Sequence, residues 1–274
     1  MLRELKELHG NALHATDGEI GSVDEVLFDD EHWTVRYLVV NTGDWLRCRR
    51  VLIAPSLLGT LDWDQHTLNV GLTRDQVEAS PDVDTDAPVS RQWETDYHDH
   101  FALPYYWAGP AQWGGLGPGI AGMMGDPGAL MASGEGDERL SQPVADEQPQ
   151  DSHLRSTREV TGYGVVALDG HLGHIDDFIV DDEAWRIRFL AVDTRDWWPG
   201  KKVLLPTEWI GRILWPERTV AVEVTRDQVR SGPEWHPHTP ITPAFEAELA
   251  DYYARQRAGT PPVTPGGSLA LGKV

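Results

Sequence analysis

Asp29-Asp30-Glu31-His32-Trp33-Thr34-Val35-Arg36-Tyr37-Leu38-Val39-Val40 returns 152 residues later as Asp181-Asp182-Glu183-Ala184-Trp185-Arg186-Ile187-Arg188-Phe189-Leu190-Ala191-Val192. Each copy reads as an acidic turn, then a Trp, then a β-branched and aromatic run suited to a buried strand. Working outward, the same offset pairs residues 2–101 with 154–253 without a gap, and 31 of the first 80 pairs are identical. Gly10, Asp17-Gly18 and Gly21 match Gly162, Asp169-Gly170 and Gly173; Asp44-Trp45 matches Asp196-Trp197, and Trp63 matches Trp215. Thr73-Arg74-Asp75-Gln76-Val77 recurs as Thr225-Arg226-Asp227-Gln228-Val229. The period is too long for a solenoid unit and is domain-sized instead. Two copies of one domain are expected.

Within a copy the pattern is short strands separated by turn signals. Strands are predicted at 11–15, 19–28, 34–40, 50–53, 60–62 and 67–70, with Asp17-Gly18 as a tight turn. No helical crossover separates them, which favours an antiparallel barrel over a βαβ fold. Thr73-x-x-Gln76 and Thr225-x-x-Gln228 fit capping boxes, and Pro81 and Pro233 limit the helices that follow. A second helix is expected from Ser90 in the first copy and from Thr242-Pro243 in the second, with Trp93 and Phe245 as matched anchors. Residues 109–136 hold ten glycines, and an acidic polar stretch follows. Burial there gains too little to offset ordering entropy, so a flexible linker is predicted. The expected organisation is a first barrel with its helix over 1–107, a linker over 108–152, a second barrel with its helix over 153–257, and a disordered tail over 258–274.

Composition narrows the function. A net charge of −21 with no offsetting basic stripe argues against nucleic acid and against an anionic membrane surface. No apolar run has the length of a signal peptide core or a membrane span, so a soluble cytoplasmic protein is expected. The lone Cys48 rules out an intrachain disulfide.

Several groupings have the residue types of a site, and each has a plainer reading. Asp82-x-Asp84-x-Asp86 opens like a calcium loop, but Ala87 and Trp93 stand where Gly and a bidentate Glu are needed. A solvated acidic turn is the default there. His98-Asp99-His100 and His236-Pro237-His238 each offer two imidazoles but show no third or fourth ligand nearby. Cys48 lies among Arg47, Arg49 and Arg50, which would depress a thiol pKa, but no His partner can be assigned. Asp24 with Arg36, and Asp176 with Arg188, are expected to face each other across strands as structural ion pairs. Trp33, Trp45 and Trp63 recur in the second copy and suit packing, whereas Trp107, Trp113, Trp198, Trp209 and Trp235 have no aromatic match. Of these, Trp107 and Trp113 sit with Tyr105, Tyr106, Met123 and Met124, a composition that either binds a partner or packs on its own barrels. No phosphate loop, nucleophile elbow or HExxH is present. No catalytic, cofactor-binding or metal residues are assigned.

Asp17-Gly18-x-Ile20-Gly21, Trp33-x-Val35-Arg36-Tyr37-Leu38-Val39-Val40 and Leu72-Thr73-Arg74-x-Gln76-Val77 resemble the PRC-barrel family. Ser80-Pro81-Asp82, Asp84-Thr85-Asp86 and Pro88-Val89-Ser90-Arg91-Gln92 are similar to stretches of stand-alone bacterial tandem PRC-barrel proteins. The family takes its name from the cytoplasmic domain of the photosynthetic reaction-centre H subunit, and a ribosome-maturation factor carries a related barrel. The resemblance implies a mainly β chain of two small antiparallel barrels with appended helices, used for protein contacts. It supplies no catalytic residues. The expected function is a non-enzymatic interaction or scaffold protein, with contacts like those of the H subunit. The alternative is a metal or small-ligand module at the seam between barrels. The two copies are expected to pack on each other as a pseudo-twofold pair, with Trp198 and Trp209 supplying contacts.

Overall fold

The computed structural model describes residues 1–46, 49–83, 89–107, 153–195 and 201–259. The protein is mainly β, with fourteen strands hydrogen bonded into one mixed sheet and a few short helices among the described residues. In the first half the strands are β1 (Leu2–Glu4), β2 (Ala12–Ala15), β3 (Gly18–Asp29), β4 (Thr34–Asn41), β5 (Arg50–Ile53), β6 (Leu58–Asp62) and β7 (Thr67–Val70). In the second they are β8 (Leu154–Ser156), β9 (Gly164–Ala167), β10 (Gly170–Asp181), β11 (Arg186–Asp193), β12 (Lys202–Pro206), β13 (Ile210–Leu214) and β14 (Thr219–Val222). Helices α1 (Arg74–Glu78) and α2 (Arg91–His100) follow the first set; α3 (Thr157–Val160), α4 (Arg226–Arg230) and α5 (Pro243–Gly259) belong to the second.

Six strands run in the order β6-β7-β2-β3-β4-β5 in the first half and β13-β14-β9-β10-β11-β12 in the second. The strand order is therefore the same in both. Among the described residues no ladder joins β5 to β6 or β12 to β13, so neither set closes into a hydrogen-bonded ring.

The shape comes from local chemistry. Asp29 and Asp181 each turn the chain by accepting two backbone N–H groups, from Glu31 and His32 and from Glu183 and Ala184. Trp33 and Trp185 then take φ of 54°, left-handed backbone that a non-glycine residue holds only when its surroundings fix it. At Gly21 and Gly173 a Cβ would lie 2.0 Å from the carbonyl oxygen of Asn41 or Asp193, so only glycine lets those backbones meet. Both capping boxes form, and the Asp17 and Asp169 carboxylates accept from Arg74 and Arg226 N–H, tying each short helix to the β2–β3 or β9–β10 turn.

The halves are joined by a reciprocal exchange. β1 pairs with β10 of the second half (Leu2 with Asp181), and β8 pairs with β3 of the first (Leu154 with Asp29). Shifting either register by 152 residues gives the other. The hairpin tips meet where Thr34 pairs with Arg186, two equivalent positions, flanked by matched bonds from Val35 N to Trp185 O and from Ile187 N to Trp33 O. A pseudo-twofold axis thus passes through that pair. Residues 2–4, assigned by sequence to the first domain, complete the second sheet, and residues 154–156 complete the first.

One core runs through both halves, with Phe28 and Phe178 in contact across the seam at 5.5 Å between ring centroids. Their pseudo-symmetric counterparts are Val180 and Val26, both buried. β4 is buried on both faces. Val35, Leu38 and Val40 enter the main core, while Tyr37 and Val39 pack under α2 with Leu52, Ala54 and Tyr97. That double burial explains the nearly unbroken apolar run. Trp209 packs on Tyr253 of its own half rather than across the seam, because α5 covers it there; Trp198 lies outside the described residues.

Candidate functional site

A half-open pocket of about 260 Å³ lies at the seam, lined in pseudo-symmetric pairs from the two halves. Leu5 matches Thr157, Lys6 matches Arg158, Asp24 and Glu25 match Asp176 and Asp177, and Val26 matches Phe178. Four carboxylates line it with Lys6 and Arg158, over Leu5, Val23, Val26 and Phe178, and Arg50 and Lys202 reach Asp24 and Asp176 as well.

The carboxylates are not equivalent. Asp24 accepts a 2.8 Å bond from Arg158 Nη2 and lies 3.4 Å from Arg50, and the Arg158 hydrogen bond holds its carboxyl below the usual range. Asp176 takes Lys202 Nζ at 2.6 Å. Glu25 accepts from the Ser156 hydroxyl, and burial pushes it up. Asp177 is 3 % exposed. Its Oδ1 accepts from Phe178 N at 2.8 Å and from Lys6 N at 3.2 Å, and burial pushes the carboxyl up to about 7. Its Oδ2 accepts no hydrogen bond and lies 3.6 Å from Lys6 Nζ, which is itself engaged by Glu4.

Asp24 and Arg36 do not face each other. The hairpin closes between Asp29 and Thr34, and both residues are bulged out of the β3–β4 ladder: pairing jumps from Val23 to Glu25 and from Leu27 to Phe28. Arg36 bonds Asp29 at 2.8 Å, and Asp24 turns to the other half. The same bulges in β10–β11 send Asp176 to Lys202 and Arg188 to Glu246.

A second polar cluster lies under α2. Glu94 is fully buried and accepts from Tyr106 (2.6 Å), Arg91 (2.8 Å) and Tyr37 (3.2 Å). Burial pushes its carboxyl up to about 7 against those donors. His98 bonds Tyr37 OH at 3.1 Å and Pro104 O at 2.9 Å, and burial lowers its pKa. These partners hold His98 in place structurally, and His100 projects elsewhere, against Phe101. Positions two apart on a helix do not share a face. Tyr106 and Trp107 pack on Arg36, Arg91 and His98, so this aromatic segment lies on its own half.

His238 meets Glu4 and Glu7, with one ligand atom of each within 4.8 Å of the others; His236 does not join them. Sequence could not find those two acids because they come from the other end of the chain. Asp82 is held by Arg49 at 3.1 Å. Asp84, Asp86, Ala87, Cys48, Trp113, Trp197, Met123, Met124, the segment 108–152 and the tail from 260 lie outside the described residues. Trp63 and Trp215 lie beneath Arg3 and Arg155, which reach across the seam to Asp182 (3.7 Å) and Asp30 (3.0 Å). The sequence reading offered a seam site as its alternative but named no residues for it, because the lining joins the segments after β1 and β8 to strands far away in the chain.

At the ends of the strand path, β6 and β13 are partly exposed along their length. Among the described residues no helix is long and apolar enough to cross a membrane. No curated protein matches the chain. The sequence profile of the PRC-barrel domain matches residues 154–229, which run from β8 through most of α4. The first half repeats the strand order of that segment. Residues 154–229 of the chain are thus a match to the PRC-barrel domain.

Proposed function

We propose that the protein is a non-enzymatic interaction or scaffold module, cytoplasmic and soluble, whose two end strands receive protein partners. The observation that carries this reading is the matched pair of end strands, β6 and β13, at opposite ends of one continuous sheet. An end strand offers unpaired backbone donors and acceptors to an incoming strand. The strand exchange joins the two ends within one hydrogen-bonded sheet, which suits a scaffold. Contacts resembling those of the reaction-centre H subunit are the narrower form of the proposal. Tagged chain used as bait in its native cells should recover a defined partner. A double variant with Thr60→Pro and Arg212→Pro should lose it while keeping the wild-type circular dichroism. Recovery that is unchanged in that variant counts against the edge-strand route.

The seam cavity favours a second reading, a small-ligand module. Its carboxylates and apolar walls are supplied by both halves, so occupancy would depend on their pairing and would stabilise it.

A further inference from the structure

We propose that residues 103–107 form a strap over α2 that closes on a protonated Glu94 and lifts when that carboxyl loses its proton.

The strap is tied down along its length. Ala102 reverses the chain in left-handed backbone at φ 51°, and Leu103 N donates to His98 O at 2.8 Å. Pro104 O bonds His98 Nδ1 at 2.9 Å, and Tyr105 OH donates to Asp99. The Tyr106 ring stacks with the Arg36 guanidinium at 3.7 Å while its hydroxyl donates to Glu94 Oε1 at 2.6 Å, and Trp107 packs on Arg91 at 4.5 Å. The second half shows the same face without a strap, because residues 255–259, the counterparts of 103–107, continue α5. There Glu246 and Arg188, which correspond to Glu94 and Arg36, meet directly at 3.6 Å with side chains 35 and 44 % exposed. Beneath the strap the same two positions are 0 and 11 % exposed.

The bonds under the strap decide where a proton sits. Pro104 O can only accept, so His98 Nδ1 carries the hydrogen and Nε2 is left as an acceptor. Tyr37 OH stands 3.1 Å from Nε2 and 3.2 Å from Glu94 Oε1, with one hydrogen for the two. An ionised Glu94 draws that hydrogen and leaves Nε2 without a donor. A protonated Glu94 donates to the Tyr37 oxygen instead. Tyr37 then donates to Nε2, and Nδ1 donates to the strap at Pro104 O, so no member of the chain lacks a partner. The charged and titratable groups facing Glu94 are Arg91 and His98 on α2, Tyr37 and Arg36 on β4, and Tyr106 on the strap; Arg36 is also held by Asp29 at 2.8 Å. Burial outweighs the donors and cations among them and favours the neutral acid. Lifting the strap returns water to Glu94, so opening releases a proton and is favoured as pH rises until the closed form is itself ionised.

The test is amide exchange at Leu103 in the full chain between pH 5 and pH 8. Taking the ratio of wild type to Glu94→Gln at each pH cancels the intrinsic pH dependence of exchange. The ratio should rise about tenfold per pH unit and level off above about 7. Tyr106→Ala removes the anchor, so Leu103 should exchange rapidly at every pH, and the Glu94 Cδ resonance should titrate about one pH unit or more lower than in wild type. A flat ratio overturns the proposal, and a ratio that falls with pH overturns it by assigning the strap to His98. A Leu103 amide exchanging no faster than that of Val39 in β4 means that the strap opens only with global unfolding, which also overturns it. So does a Glu94 midpoint that Tyr106→Ala leaves in place, since the core and not the strap would then keep water from the carboxyl.

Discussion

Asp177 and Glu94 are buried carboxyls in different settings, one at the seam and one under α2, and burial pushes both up to about 7. An ordinary carboxyl in the unfolded chain titrates near 4. Between those values the folded protein keeps protons that the unfolded chain releases. The stability each residue contributes is therefore fully present below about pH 4 and is lost as pH rises through 7. Asp177→Asn and Glu94→Gln remove that loss. Relative to wild type, each variant should gain on the order of 1–3 kcal/mol between pH 5 and pH 8 in urea unfolding. A constant difference across that range would show the carboxyls to be ionised throughout. Gly21 and Gly173 give a second test at this scale. Ala at either would drive a Cβ into a carbonyl oxygen, so a loss of roughly 3 kcal/mol or more is expected from thermal unfolding. Those glycines were legible in the sequence because they recur at the repeat offset. Their reason was not, since the carbonyls they approach lie twenty residues along the chain. The raised carboxyls were invisible for the same cause: nothing near Asp177 in sequence announces that Lys6, in the turn after β1, will pack against it.

At the scale of elements, α2 and α5 solve one problem in two ways. Tyr97 OH donates to Leu52 O at 3.1 Å, and Tyr253 OH donates to Leu204 O at 2.9 Å. Leu52 and Leu204 are equivalent under the 152-residue shift, but Tyr97 corresponds to Leu249, one helical turn before Tyr253. The helices thus deliver the same hydroxyl to the same strand from positions four residues apart, which is why aligned residues alone did not reveal it. Tyr97→Phe leaves a ring of the same shape and removes one buried bond, and Ala54 N, 3.0 Å from that oxygen, loses its partner too. A loss of about 1–3 kcal/mol is expected by urea unfolding, with the same for Tyr253→Phe. A neutral result at Tyr253 alone would mean that water satisfies Leu204. Strands β5 and β7 could be read to the residue from β-branched runs and turn signals. Three-residue β1 and β8 could not, because a strand that short has no alternation and its partner is far away in the chain.

For the whole molecule, the decisive feature is that each half lacks a strand that the other supplies. The repeat made the matched strand orders legible; the exchange was not, because it depends on which half captures each terminal strand. Removing residues 1–4 strips β1 from β10 and takes with it Arg3, which contacts Asp182 and stacks on Trp63. Glu4 goes too, with its bond to His238 N. The second half, not the first, should then show the greater rise in amide exchange, centred on residues 179–182. Separately expressed fragments 1–107 and 153–259 extend the argument. Each would expose the edge of β3 or β10 and the buried aromatic face of Phe28 or Phe178. A small domain with so much of its core left open is marginal alone. Mixing should therefore restore a one-to-one complex with a cooperative melt well above that of either fragment. The hydrogen-bonded contact of Thr34 with Arg186 should reappear as protected amides at Val35 and Ile187. Two fragments that each melt cooperatively near the temperature of the full chain and do not associate would show that the exchange is incidental to stability. Shared stability requires instead that Phe28→Ala in one fragment and Phe178→Ala in the other each weaken the complex, with an effect in the double variant smaller than the sum, because both remove the same contact across the seam.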